Sequence, residues 1–182
     1  VETLSLHEAA PGHHFQISIQ QELTGLPRFR RFERNVAYVE GWALYAESLG
    51  RELGMFTDPM QWYGRLSDEM LRAMRLVVDT GLHAKGWSRE RAIRYMQDNS
   101  SLAGTDIEAE VERYIVNPGQ ALGYKIGDLR IRAMRRKAAD ALGGHFDVRE
   151  FHAQVLMDGS LPLDVLEAKI DPDKDFKRVA YS

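Results

Sequence analysis

The chain of 182 residues contains no cysteine. That excludes thiolate metal sites, thiol nucleophiles and a disulfide framework, and it leaves the compartment open. It has no run of about 18 apolar residues, so helical membrane insertion is not expected. Surplus positive charge is missing as well. The 24 Lys and Arg stand against 27 Asp and Glu for a formal net charge of -3, which gives neither nucleic acid nor an anionic lipid surface a long-range attraction. Strict alternation of β-branched residues is nearly absent, and with it the signature of a sheet. What remains, 44% hydrophobic and 28% charged residues, is the composition of an ordinary globular chain in which small-molecule or peptide chemistry stays open. The sequence begins at Val1 inside a working helical pattern, ETLSLHEAA, which predicts a single helical domain over 1–182 that is the C-terminal piece of a longer protein.

Apolar spacing predicts an all-α fold. A first segment runs from about Glu2 to Leu23, interrupted by Pro11 and Gly12, and stops at the turn signal TGLP. A second, from about Arg31 to Leu53, sets Val36, Val39, Ala43, Leu44 and Ala46 along one side and ends at Gly54. A third opens at Asp58 and Pro59 and carries Leu66, Met70, Met74, Val77 and Val78 at three- and four-residue steps, a stripe expected in the core. Ser88 reads as the N-cap of a short helix ending near Asn99, and Thr105 with Glu108 as a capping box. Asn117-Pro118-Gly119 must kink or break that helix before the chain resumes toward Leu142. The basic run Arg130 to Lys137 is expected on a solvated face. Short helices are predicted near Asp147 to Met157 and Pro162 to Ile170, and a frayed or extended tail from Asp171.

The stretch His7-Glu8-Ala9-Ala10-Pro11-Gly12-His13-His14 carries the chemistry. In the zinc motif HExxH, two His four residues apart face one way on a helix and the Glu beside the first reaches a zinc-bound water. Here the next His is six or seven residues on. In a straight helix that is a rotation of roughly 240° past whole turns or a rise of about 10.5 Å, and neither pair grips one ion. Pro11 has no N–H for the His7 carbonyl and Gly12 accepts almost any dihedral, so a bulge there puts His13 in the second ligand position if it absorbs two residues, or His14 if it absorbs three. A third ligand is expected from a following helix. Glu40, amid the apolar stripe of Tyr38-Val39-Glu40-Gly41-Trp42-Ala43-Leu44-Tyr45-Ala46-Glu47, needs a cation or several donors if it is buried. Gly41 beside it allows close helix approach. Glu47 either orients a ligand, faces solvent or replaces Glu40, and Trp42 and Tyr45 are expected in the core. Asp79 and His83, four apart, are either a pair that supports the metal ligands or binds substrate, or an ordinary helix terminus. His145 and His152 lack motif partners and are expected at the surface or in packing.

HEAAPGHHFQ, YVEGWALYAESLG, RLVVDTGLHAKGWSRERAIRYM and RYIVNPGQALGYKIG, in that order, resemble the C-terminal half of a bacterial family catalogued as a domain of unknown function. That family is similar to the helical gluzincin metallopeptidases, the class of angiotensin-converting enzyme and the thermostable carboxypeptidases. The resemblance extends to about FHAQVLMDGSLPLDVL. It implies His7, His13 and Glu40 as ligands of Zn2+, Glu8 as the base that deprotonates the bound water, and a short peptide or related amide as substrate. It also implies Tyr114, in the Arg113-Tyr114 pair, as oxyanion donor. Tyr124 is a second candidate for that role, and Arg113 is a candidate to bind a substrate carboxylate. Two other outcomes are a helical binding or scaffold domain that keeps the metal shell without turnover, and a piece that is silent without its N-terminal lobe.

Overall fold

The computed structural model describes residues 2–171. Among them the chain forms ten α-helices, one 3-10 turn and no strand: α1 (Glu2–Glu8), α2 (His13–Glu22), α3 (Arg28–Phe32), α4 (Val36–Ser48), α5 (Pro59–Ala84), α6 (Arg89–Asn99), α7 (Gly104–Val116), α8 (Gln120–Leu142), α9 (Val148–Leu156) and α10 (Leu163–Ile170). The all-α expectation holds. The tail expected to fray or extend from Asp171 lies outside the described residues from 172 onward.

Local chemistry explains most boundaries. Asp58 and Gln61 form a reciprocal capping box at the start of α5, with Pro59 in its first turn. Ser88 accepts from the Arg91 amide at 3.2 Å and starts α6. Two expectations are corrected. The helix expected from Arg31 to Leu53 is two helices, because the Asn35 side chain accepts from the Tyr38 amide at 3.2 Å and begins α4 afresh, and α4 stops at Ser48. The capping box expected at Thr105 does not form, since α7 starts one residue earlier, behind Ala103, with no side-chain cap.

Two apolar clusters hold the helices together. Tyr38, Val39, Trp42 and Tyr45 of α4 pack with Ile131 and Met134 of α8, Phe151 and Val155 of α9 and Leu166 of α10. Met74 and Val78 of α5 pack with Met96 of α6, Val111 and Tyr114 of α7 and Ala121 at the start of α8. The stripe on α5 is only partly core, a further correction: Met74 and Val78 are buried, whereas Leu66, Met70 and Val77 are exposed. The basic side chains of the run on α8 are exposed or half-buried and laced with ion pairs, Arg130 to Asp164, Arg135 to Glu52 and Lys137 to Asp171, while its Ile131 and Met134 face the core.

The most extensive helix pair is α4 with α8, and they touch backbone to backbone. A Cβ placed on Gly127 of α8 would lie 1.9 Å from the Ala37 carbonyl oxygen and 2.5 Å from the Gly41 Cα, so only glycine fits on either side of this crossing.

His152 of α9 packs against Trp42 and Tyr45 and shares a 2.8 Å hydrogen bond with the Tyr45 hydroxyl. Burial, with the Arg135 charge adding to it against Glu52, pushes its imidazole down to about 4. An unfolded chain therefore binds a proton here between about 6.5 and about 4 that the folded chain refuses. The stabilisation is complete above that window and is lost as pH falls through it, by about 2 kcal/mol after allowance for solvent screening. Urea melts of wild type and His152→Gln across pH 7 to 4 check this, since the variant should lose that part of the slope.

Candidate metal centre

The site is built where α1 ends, α2 begins and α4 passes beneath. Pro11 and Gly12 do not bulge a continuous helix, as the sequence suggested; they separate two helices. His7 sits in the last turn of α1 and His13 is the first residue of α2. A Cβ on Gly12 would lie 1.9 Å from the His7 carbonyl oxygen, so the turn closes only with glycine there. The Trp42 indole N–H donates to the Pro11 carbonyl at 2.8 Å and fixes the turn to α4.

That turn brings the rings of His7 and His13 edge to face at 4.7 Å. Glu40 and Glu47 lie seven residues apart, two turns along one side of α4. The buried His7 shares a 2.7 Å hydrogen bond between its Nδ1 and Oε1 of Glu47, which is wholly buried. That contact occupies Nδ1 and leaves Nε2 of His7 facing Glu40. Oε2 of Glu40 stands 3.2 Å from Nε2 of His13 and 3.9 Å from Nε2 of His7. One ligand atom from each of these three residues lies within 4.8 Å of the other two. Burial raises the Glu40 carboxyl, but His13, His7 and the Tyr124 hydroxyl outweigh it, and its pKa falls below the ordinary carboxylate value.

The donor set suits a zinc ion. Tetrahedral bonds of about 2.0 to 2.1 Å put neighbouring ligand atoms about 3.3 to 3.4 Å apart; Glu40 and His13 stand near that spacing at 3.2 Å, and Glu40 and His7 are wider at 3.9 Å. Oε2 of Glu40 is buried, and its near neighbour Nε2 of His13 at 3.2 Å is not aligned as a hydrogen-bond donor to it. Such an orphaned acceptor is costly unless something positive completes it. The Glu47 contact is the arrangement that fixes a metal-ligating His in one tautomer.

The other candidates fall at different distances. His14 is exposed and pairs with Ser18 at 3.0 Å, outside the cluster. Glu8, the last residue of α1, is exposed beside His7. Tyr124 lies nearly parallel to the His7 ring at 6.3 Å, and its hydroxyl meets Gln120 at 3.3 Å and Arg113 at 3.4 Å. Tyr114 has its hydroxyl engaged by other side chains. It is buried between α5 and α7, where its hydroxyl donates to Glu110 and accepts from Arg75 at 3.0 Å, and burial raises its pKa. Asp79 and His83 serve the break before α8, with Asp79 taking the Gly119 amide at 3.0 Å and His83 meeting the Tyr114 carbonyl at 2.9 Å. His145 is exposed. Sequence reasoning missed Gln120, whose side chain reaches Oε1 of Glu40 at 3.5 Å, and Arg75, whose guanidinium covers the Tyr124 ring at 4.7 Å. The four-residue step from Gln120 to Tyr124 on α8 was a usable signal. Arg75 offered none.

A solved structure from Colwellia psychrerythraea, provisionally described as a lipoprotein, is 50% identical to the chain with a TM-score of 0.92. One from Shewanella oneidensis, provisionally described as a lipoprotein of unknown function, is 28% identical with a TM-score of 0.83. They match 96% and 91% of this chain, which spans 30% of the length of each. No curated protein matches. Residues 1–170 match the family described as "Bacterial protein of unknown function (DUF885)", and the chain belongs to that family.

Proposed function

We propose that the protein is the metal-bearing part of a zinc-dependent hydrolase acting on short peptides or related amides. The observation that carries this is the convergence of His7, His13 and Glu40, with His7 held from behind by the buried Glu47 and Glu8 exposed alongside. The reading also draws on the resemblance to helical gluzincins. His7, His13 and Glu40 would hold a zinc ion, which would supply an acidified water and polarise the substrate carbonyl. Glu8 takes the proton from the attacking water and returns it to the leaving amine. Tyr124, whose ring lies against His7, is better placed than Tyr114 to donate its hydroxyl to the carbonyl oxygen as negative charge develops there. Arg113 flanks the same hydroxyl and is the available cation for a substrate carboxylate.

Elemental analysis of protein purified without a polyhistidine tag tests the site. About one zinc per wild-type chain and none in His7→Ala is the expected result, because removing one of three ligands leaves two. Equal metal in both proteins would sink the assignment. Peptide hydrolysis is then assayed on this chain and on a longer one, since these residues span 30% of their solved relatives.

A further inference from the structure

An apolar strip runs along α5. Met60, Tyr63, Leu66, Met70 and Val77 recur at helical spacing over roughly 25 Å of its length. Tyr63, Leu66 and Met70 are 56%, 44% and 42% exposed. Scattered exposed apolar residues are ordinary, but these are contiguous and shaped. Tyr63, Leu66 and Met70, with Leu102 before α7, line a hollow of about 450 Å³. Nearer the start of α5, Leu4 of α1 and Met60 border a second, more polar hollow of about 180 Å³ that Glu2, Gln61 and Asp68 also line. Periodicity alone places this stripe in a core, and within these residues only its Met74 and Val78 edge is covered.

Two further observations bear on what covers the rest. The start of α1 is tied to the same end of the strip, where Glu2 accepts from the Gln61 side chain at 2.9 Å and from the Phe56 amide at 3.1 Å. Polypeptide arriving at Glu2 from upstream therefore arrives beside Leu4 and Met60. In the Colwellia protein, half identical over this segment, the matched part is only 30% of the chain. We propose that the α5 strip is a docking face for an amphipathic helix contributed by polypeptide upstream of these residues in the longer protein. Side chains stepping by three and four along α5 form the ridges that a second helix packs against. This assignment does not depend on the metal centre.

The absence of cysteine makes the test clean. Leu66→Cys and Met70→Cys are made in the 182-residue chain and in the longest open reading frame that contains it, with Val165→Cys on the exposed side of α10 as reference. Thiol-labelling rates are corrected for the unsubstituted chains, and circular dichroism confirms that each variant is folded. Labelling at positions 66 and 70 should be at least tenfold slower in the longer chain, with position 165 unchanged. Equal rates in the two chains overturn the proposal, as does an open reading frame with nothing upstream. Slow labelling already present in the 182-residue chain also overturns it: independence of concentration would assign the face to the chain's own remaining residues, and dependence on it to a second copy. Protection that extends equally to position 165 refutes the assignment to this face.

Discussion

Glu8→Gln should lower peptide hydrolysis about 10³-fold in kcat while leaving bound zinc at the wild-type level. The side chain changes by one atom, keeps its shape and loses the basicity needed to take a proton from water. Glu8 ends α1 at an exposed position, so the substitution neither opens a cavity nor strands a buried group. The three candidate ligands are untouched, as is the contact between His7 and Glu47. The paired readout separates catalysis from structure: a fall in turnover together with a loss of metal would mean that the substitution disturbed the site itself. Turnover within about tenfold of wild type would remove Glu8 from the role of general base.

Gly127→Val should destabilise the protein by about 3 kcal/mol, because overpacking a closed contact forces backbone movement. For a chain of this size that lowers the melting temperature by roughly 10 °C. At this crossing the obstruction is the Ala37 carbonyl and the Gly41 backbone, not a flexible side chain that can swing away. To admit the new atoms, α4 must move off α8, and Glu40 moves with it, so metal affinity should fall alongside stability. Calorimetric melting and a zinc competition titration on the same sample check both effects. An unchanged melting temperature would show that the helices do not approach as closely as described.

How much of this was legible beforehand depended on whether the deciding interaction was local. Asp58 and Ser88 marked helix starts because capping is a bond between near neighbours in sequence, and both caps form. Asn35 was as good a cap by type, yet the apolar spacing on either side ran through it, and the helix was drawn too long. Of the candidate ligands, the structure brings His7, His13 and Glu40 together and leaves His14 outside. Whether the turn between the histidines absorbed two residues or three could not be read from composition, since it depends on how closely Gly12 approaches the His7 carbonyl. Glu47 had three possible roles on paper; only the tertiary contact with His7 distinguishes them. Tyr114 was favoured by its place in a motif. Its hydroxyl is instead engaged by Glu110 and by Arg75, a residue 39 positions away that no periodicity connects to it.

One helix carries more of the site than any other. α4 supplies Glu40, supplies the Glu47 that orients His7, and through Trp42 grips the turn that places His13. The spacing among Glu40, Trp42 and Glu47 is therefore measured along a single rigid rod, while His7 and His13 reach it through the α1–α2 turn. A loop of altered length elsewhere leaves those three positions in register, whereas a change at Pro11 or Gly12 would move His7 against His13.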